Sequence, residues 1–315
     1  MIPVINYYSK LSRYVSQITF ILFWSSLLSC TSNVEQINEL SKNNNFKNPD
    51  NYVIFEKGNI PLILVSTHGG DQKPNWLEDR DCEGSVVLKD LFTLGIALQI
   101  RNELISQGFK PYTVFSKIHR IKVDLNRSLP ESYCDIETSN LLWTFFHDQI
   151  RLYRQDLINQ FNRGLIIDIH GHAHPNQRIE LGYLLGNEDL DLLNNEPNTY
   201  PTKKSSINSL IENHPEGLML SDLISGKFAL GTMLDSIGYP SVPSGNNPLP
   251  GNVPYFSGGY ITKQYGSSSS SAIDAIQLEL NRYGIREESE DRKRFAESFS
   301  KIIMHYLSIH YSDAL

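Results

Sequence analysis

Two short apolar runs each end abruptly in a histidine followed by glycine, and this repetition constrains the fold more than any other feature. The run "PLILVST" (61–67) ends at His68-Gly69, and the run "GLIIDI" (164–169) ends at His170-Gly171. Runs of this length and composition predict strands that are buried on both faces, as in a parallel sheet. Because ligands bind beyond the carboxyl ends of such strands, we expect the two imidazoles to lie close together.

Segments with helical spacing alternate with the predicted strands. Helices are predicted over 85–108, 137–162, 219–237 and 289–311, and further strands over 111–118, 183–186 and 275–280. The Pro- and Gly-rich residues 238–260 predict a long loop. This alternation predicts an α/β fold, with a mixed, largely parallel twisted sheet that helices cover on both faces.

The N-terminal segment predicts export. Lys10 and Arg13 precede the apolar stretch "QITFILFWSSLLSC", which ends at Cys30 and is too short to span a membrane comfortably. Its last four residues resemble a bacterial lipobox, which predicts a lipid anchor to the membrane at Cys30 and a place in the bacterial cell envelope. An ordinary cleaved signal peptide or a plain anchor helix is the alternative.

The composition of the whole chain predicts a globular protein. Apolar residues make up 40% and charged residues 20%, and the net charge of -7 provides no basic surface for nucleic acid. We expect Cys82 and Cys134 either to form a disulfide outside the cytoplasm or to remain free. The predicted organisation is a lipoprotein-type signal peptide (1–29), a polar, Asn-rich flexible tether (30–51) and a single catalytic α/β domain (52–315).

The two strand-end histidines predict a site for one zinc ion. Catalytic zinc usually takes three protein ligands, so His68, His170 and one nearby acid would suffice. Asp168 shares the strand face of His170 and is expected to fix its tautomer by accepting the N–H of a ligand imidazole. We expect His172 and His174 to be loop residues that contact substrate. The alternative is that these histidines are ordinary surface or core residues.

A carboxylate in the late strand provides a candidate general base. Glu279 lies among apolar residues in "AIQLEL" (275–280), where a buried charge is costly unless it is paired or functional. Near a metal ion it could take a proton from water. Alternatively, it is an ordinary strand-end residue that pairs with an arginine.

The segment "HRIKVDLNR" (119–127) provides candidate substrate-binding residues. Arg120 and Arg127 could bind a substrate carboxylate through parallel N–H bonds, with Asp124 and Asn126 orienting them. Surface Arg–Asp pairs are common, so the segment alone is weak evidence.

Five motifs in order resemble the N-formylglutamate amidohydrolase family, which is related in fold to zinc carboxypeptidases and aspartoacylases. They are "STHGG", "HRIKVDLNR", "DIHGH", "FSGGYITKQYG" and "IQLELNR", and they span roughly Pro61 to Arg282. The resemblance implies a zinc carboxypeptidase-like fold with one zinc ion. It further implies zinc ligands at His68 and His170, a general base at Glu279, a carboxylate-binding pair at Asn126 and Arg127, and pocket residues at Arg178 and Tyr260.

The acidic zinc ligand departs from the pattern of the related folds. Carboxypeptidase-like sites take a glutamate three residues after the first histidine, and this chain has Asp71 there. We predict Asp71 as the ligand. Asp90 is the rival, because it would lie at the start of the helix that follows the strand, and Glu83 is a weaker third option.

Together these features predict a zinc-dependent amidohydrolase that cleaves an amide bond in an N-acyl amino acid or a similar small substrate with a carboxylate. One alternative keeps the fold and changes the substrate to a peptide, as in a zinc carboxypeptidase or peptidoglycan amidase of the cell envelope. A second alternative is a non-catalytic binding lipoprotein at the cell surface.

Overall fold

A seven-stranded sheet with the strand order β1-β3-β2-β4-β7-β5-β6 organises the protein. The inner strands β3, β2, β4 and β7 are parallel; β1 is antiparallel at one edge, and β5 with β6 is antiparallel to β7 at the other. The predicted mixed, largely parallel sheet is therefore confirmed. The strands are β1 (Val53–Glu56), β2 (Leu62–Ser66), β3 (Tyr112–Ser116), β4 (Gly164–Gly171), β5 (Ile179–Gly182), β6 (Ser241–Val242) and β7 (Ile273–Leu280).

The computed structural model describes residues 49–134, 137–214, 216–269 and 271–315. The predicted signal peptide and nearly all of the predicted tether lie outside these residues. None of the described helices is both long and apolar enough to cross a membrane. The helices are α1 (Thr93–Ser106), α2 (Leu129–Tyr133), α3 (Glu137–Phe161), α4 (Asn187–Asn195), α5 (Asn208–Glu212), α6 (Leu220–Ser225), α7 (Leu230–Ser236), α8 (Tyr260–Tyr265) and α9 (Ser289–His310).

Alternation along β4 decides which side chains reach the site. Leu165, Ile167 and Ile169 are buried in the hydrophobic core that includes residues of α1 and α9. Successive strand residues point to opposite faces, so Asp168 and His170 point to the other face, against which α3 and α8 pack. The polar side chains of the site therefore lie on the α3 and α8 side of the sheet.

Several predicted elements differ from the structure. The first helix begins at Thr93, eight residues later than predicted, because Phe92 at its N-cap has a left-handed φ of 68° that no preceding helix can continue through. The helix predicted over 219–237 is two helices, α6 and α7. The strand predicted over 183–186 lies earlier, as β5, and β1 was not predicted.

Candidate active site

His68, Asp90 and His170 converge at the carboxyl edge of the sheet. The His170 Nδ1 atom lies 3.0 Å from Asp90 Oδ2, and the His68 Nδ1 atom lies 3.6 Å from the same oxygen. The two imidazole rings meet edge to face, with their centroids 4.8 Å apart. One nitrogen from each ring and one carboxylate oxygen lie within 4.8 Å of one another, which is a donor set that a single cation can share.

Asp90, and not the predicted Asp71, is the acid beside these histidines. The Asp71 side chain is 79% exposed and pairs with Lys89, and Glu83 is also exposed. The physical reason is local: His68 accepts a hydrogen bond at its carbonyl oxygen from the Asp90 N–H, at 3.0 Å, which draws the start of α1 to the end of β2. The preference for Asp71 is therefore corrected.

The Asp90 carboxylate is held in its charged form. Burial by itself would raise the pKa of Asp90, but hydrogen bonds and charge interactions with His170 and His68 lower this pKa well below its usual range. The Gly171 N–H also donates to Asp90 Oδ2, at 3.2 Å. Asp90 is thus a fixed anion between the two imidazoles.

A second carboxylate orients each of the two imidazoles from behind. The His68 Nε2–H donates to Asp124 Oδ1 at 2.6 Å, and the His170 Nε2–H donates to Asp168 Oδ2 at 3.0 Å. These bonds leave both Nδ1 atoms facing Asp90. A carboxylate behind a ligating histidine is the usual arrangement at zinc sites, so the residues present fit a zinc ion that leaves a fourth position for water or substrate.

Glu279 lies beside His170 on the neighbouring strand. The two residues are register partners in the parallel β4–β7 pair, so their side chains share one face of the sheet. Gln277 Nε2 donates to Glu279 Oε1 at 2.6 Å. Burial raises the pKa of Glu279 to about 8, and the negative charges of Asp90 and Asp168 add to the effect against the opposing charge of His170. A carboxyl with this pKa exchanges protons near neutral pH.

Arg120 and Asn126, which were predicted to contact substrate, form hydrogen bonds inside the protein. The Arg120 guanidinium donates twice to Asp124 Oδ2, at 2.9 and 2.7 Å, and so fixes the carboxylate behind His68. The Asn126 side chain also makes a hydrogen bond inside the protein, because its Oδ1 accepts the Ile261 N–H at 3.0 Å. Both side chains are buried, and their hydrogen bonds go to other groups of the protein.

Arg127 and Tyr260 remain accessible. Arg127 is exposed, and its Nη1 donates to the Asn126 carbonyl at 3.0 Å, which leaves other N–H groups of the guanidinium at the surface. Tyr260 is the first residue of α8, partly buried, with its ring centroid 5.5 Å from that of His147.

His172 is a structural residue of the loop after β4. It is 3% exposed, its Nε2–H donates to the Arg178 carbonyl at 2.8 Å, and its Nδ1 accepts the His174 N–H at 3.1 Å. Both ring nitrogens are therefore used within the loop, which contradicts the predicted substrate contact. The Arg178 guanidinium donates to the Pro250 carbonyl at 3.1 Å, and its Nε lies 3.8 Å from Glu180 Oε1.

Sequence reasoning missed two features of the site. Arg286 is a buried guanidinium that donates to the carbonyls of Leu280, Leu91 and His172, and so ties together three segments around the site. Nothing in its sequence context marks it. Glu180 is fully buried in β5, and "RIELGY" shows the same carboxylate among apolar residues that singled out Glu279.

A disulfide bond constrains the loop that leads from His68 to Asp90. Cys82 lies between His68 and Asp90 in the chain, and it is bonded to Cys134, with Cα atoms 5.5 Å apart. Arg80 in the same loop donates to the Arg120 carbonyl at 3.2 Å. The disulfide and this hydrogen bond thus connect the long loop between β2 and α1 to the residues around Arg120 and Cys134.

Comparison with known proteins supports the fold. No protein-family model matches the chain, and no curated protein matches it in sequence. Among solved structures, the N-formylglutamate amidohydrolase of Ralstonia eutropha is similar over 82% of this chain and 98% of its own, at 12% identity and a TM-score of 0.52.

More distant likenesses are to a gene product of Agrobacterium tumefaciens (13% identity, 82% and 94% coverage, TM-score 0.48) and to the apo N-acetylmuramyl-L-alanine amidase of Mycobacterium abscessus (14% identity, 79% and 99% coverage, TM-score 0.37). At these identities a likeness shows the fold alone. The chain therefore has the fold of an N-formylglutamate amidohydrolase structure, as the five sequence motifs implied.

Proposed function

We propose that this chain is a zinc-dependent amidohydrolase, with one zinc ion held by His68, Asp90 and His170. The observation that carries the proposal is the convergence of two Nδ1 atoms and a buried carboxylate beside Glu279. The fold shared with an N-formylglutamate amidohydrolase supports the same class of reaction. A zinc ion bound here would polarise the amide carbonyl and make the attacking water more acidic.

Glu279 performs the proton transfers. Its Oε1 accepts from Gln277, so Oε2 is the oxygen left for the reaction. The carboxylate form takes a proton from the attacking water, and the carboxylic acid returns it to the departing amine. The carboxyl alternates between these two forms within one turnover and ends in the form in which it began.

Arg127 recognises the substrate carboxylate in this proposal. It is the exposed guanidinium of the "HRIKVDLNR" segment, whereas Arg120 is committed to Asp124. Its free N–H groups would bind the carboxylate of an N-acyl amino acid and so position the scissile amide. Tyr260, the first residue of α8, is a second candidate for contact with the substrate. The alternative substrate is a peptide or a muropeptide. The enzyme would then be a zinc carboxypeptidase or a peptidoglycan amidase.

The experiment that tests the proposal replaces Glu279 with Gln. We expect the variant to keep one equivalent of zinc, by elemental analysis, and to lose about 10²–10⁴-fold in kcat because the proton carrier is gone. Glu188→Gln, at an exposed position on α4, is the matched control and should leave turnover unchanged. Panels of N-acyl amino acids and of peptides with muropeptides identify the substrate.

Two results would contradict the proposal. Undiminished turnover in the Glu279→Gln protein would remove Glu279 from the reaction. A purified protein that takes up no zinc, even on reconstitution, would favour the non-catalytic binding lipoprotein.

We also propose that the chain is exported and lipid-anchored at Cys30. The disulfide between Cys82 and Cys134 supports a compartment outside the cytoplasm, because such bonds persist in oxidising surroundings. Labelled fatty acid should be incorporated into the full chain in bacterial cells and not into a Cys30→Ala variant. Equal labelling of both proteins would refute the anchor.

A further inference from the structure

The loop between β2 and α1 carries a cluster of exposed apolar side chains. Leu88 is 79% exposed, which makes it the most exposed large apolar side chain in the part of the chain that the structure describes. Val86, Leu91 and Phe92 are exposed as well, and with Leu88 they form what we call the apolar patch. Single exposed apolar residues are ordinary, but four within seven positions mark a surface that contacts another apolar surface.

The backbone of the apolar patch is held in place, so its exposure is a fixed feature of the fold. The buried guanidinium of Arg80 donates to the Val86 carbonyl at 2.6 Å, and that of Arg286 donates to the Leu91 carbonyl at 2.8 Å. The guanidinium carbon of Arg292 lies 4.5 Å from the centroid of the Phe92 ring. These contacts hold the patch in a conformation that leaves its side chains in solvent.

The apolar patch lies at the carboxyl edge of the sheet, beside the candidate zinc site. Asp90 lies within this stretch of the sequence, and its N–H donates to the His68 carbonyl at 3.0 Å. Leu91 follows Asp90 directly and Leu88 precedes it by two positions, so their Cα atoms lie within about 4 and 7 Å of that of Asp90. Whatever surface the patch contacts is therefore next to the metal site.

The chain enters the domain at this same edge. β1 is antiparallel to β3, and Val53, its first residue, pairs with Ser116, the last residue of β3. Because β3 is parallel to β2, Ser116 lies at the carboxyl edge. Tyr52 contacts the β2–α1 loop directly, since the Trp76 Nε1–H donates to the Tyr52 hydroxyl at 3.0 Å. The chain that leads from Cys30 therefore joins the domain beside the loop that carries the apolar patch.

The length of chain between Cys30 and this edge is limited. Asp50, where the compact domain begins, follows Cys30 by 20 positions, and an extended chain of that length reaches at most about 70 Å. Lys117 Nζ donates to the Asp50 carbonyl at 2.7 Å, which fixes the point of entry beside the end of β3. With a lipid on Cys30, the edge that carries the patch is the end of the domain to which the lipid is attached.

The charges around the apolar patch favour a lipid surface without net charge. Asp81 and Glu83 lie in the same loop, shortly before Val86, and both are exposed. Lys89, the cation within the patch sequence, is paired with Asp71. Because exposed carboxylates are repelled by anionic headgroups, apolar contact and not charge attraction would hold the patch at a membrane.

We propose that the apolar patch inserts into the surface of a lipid bilayer and so holds the carboxyl edge, with its metal site, against the membrane. The inference rests on the proposed lipid anchor at Cys30 and adds a second contact that orients the domain. The two contacts act together, because an anchor raises the local concentration of lipid at a second, weaker site. A membrane-bound amide would then lie beside the metal ligands.

Quenching of a tryptophan by lipid measures this contact. Leu91→Trp places a reporter in the patch, and Ile105→Trp is the matched control near the end of α1, at the opposite edge of the sheet; the two side chains are 42% and 40% exposed. The acylated full chain is reconstituted with phosphatidylcholine vesicles whose acyl chains carry bromine. Relative to the wild type, we expect the emission of Leu91→Trp to move to shorter wavelength and to be quenched, whereas Ile105→Trp shows neither change.

A second substitution tests whether the contact is apolar. Leu88→Asp, made in the Leu91→Trp protein, should abolish the quenching without lowering the unfolding temperature, whereas Ile105→Asp in the same protein should leave the quenching in place. Exchanging part of the phosphatidylcholine for phosphatidylglycerol should weaken the quenching. Stronger quenching on phosphatidylglycerol that added salt removes would overturn the apolar contact.

Other outcomes separate the competing explanations. Equal quenching of both reporters would overturn the proposal, because the domain would then have no preferred edge. A chain that sediments as a dimer without lipid, and that Leu88→Asp makes monomeric, would overturn it in favour of a second copy on the patch.

Failure of the anchor and failure of the patch give different results. A chain that incorporates no labelled fatty acid contradicts the anchor and this orientation with it. An acylated chain that binds vesicles without quenching of Leu91→Trp contradicts the patch alone. Neither measurement uses turnover, so both can be interpreted even if the chain cleaves no amide.

Discussion

Replacing Gly171 with Ala should destabilise the protein through Arg286. A Cβ atom at Gly171 would lie 2.5 Å from Cζ, 2.6 Å from Nε and 2.7 Å from Nη1 of Arg286. Carbon atoms need roughly 3.5 Å or more of separation, so the guanidinium must move by about 1 Å. Arg286 is 4% exposed, and each of its three guanidinium nitrogens donates to a carbonyl.

The magnitude follows from the bonds that this movement breaks. Arg286 Nε donates to the Leu280 carbonyl at 2.9 Å, Nη1 donates to the Leu91 carbonyl at 2.8 Å, and Nη2 donates to the His172 carbonyl. A shift of about 1 Å stretches such bonds beyond useful length. Hydrogen bonds to charged groups are worth about 1.5–3 kcal/mol each, so losing one or two of them should cost about 3 kcal/mol.

Urea unfolding measures this cost. Gly95→Ala is the matched control, because a Cβ atom at that helical position in α1 meets nothing within 4 Å. Gly95→Ala should stabilise the protein by about 0.5–1 kcal/mol through helix propensity. If Gly171→Ala were as stable as the wild type, the inference that Arg286 cannot move without losing its hydrogen bonds would be wrong. In an Arg286→Met background, the cost of Gly171→Ala should fall below about 1 kcal/mol.

Two other substitutions test the site and the core. Asp90→Asn should greatly weaken zinc binding measured by competition with a chelator, whereas Asp71→Asn, at an exposed pair with Lys89, should leave it unchanged; equal effects would refute the choice of Asp90. Burial raises the pKa of Asp274 to about 6, so the folded state holds a proton that the unfolded state releases near pH 4. Its contribution to stability is therefore full below about pH 4 and lost as the pH rises through about 6, by roughly 3 kcal/mol in total. The unfolding free energy of the wild type relative to Asp274→Asn should fall by about that amount between pH 4 and 7, and a constant difference would contradict the argument.

The regular parts of the fold could be read from the sequence. Strands β4 and β7 are each eight residues long, mostly apolar and almost entirely buried, so their composition marks them. The parallel pairing of β2 with β3 then follows from helix α1, which connects them. The start of α1 could not be read, because Phe92 adopts a left-handed backbone conformation that its residue type does not favour.

The two histidines of the site could be named from the sequence because strand ends locate them, but their acid could not. Asp71 follows His68 by three residues, yet the chain turns outward there and leaves it 79% exposed. Asp90 is reached only after a loop that the Cys82–Cys134 disulfide braces. A contact made through a loop of irregular backbone has no periodicity from which to predict it.

The predicted substrate contacts failed for a related reason. Arg120 and Asn126 are polar residues near the site, but their side chains form hydrogen bonds inside the protein, with Asp124 and with the Ile261 N–H of α8. Charged metal ligands are held in place by hydrogen-bond donors behind them. These donors are of the same residue types as those that bind a substrate carboxylate, so the sequence does not tell the two apart. Exposure distinguishes Arg127, whose guanidinium solvent can reach, from the buried Arg120 and Asn126 of the same segment.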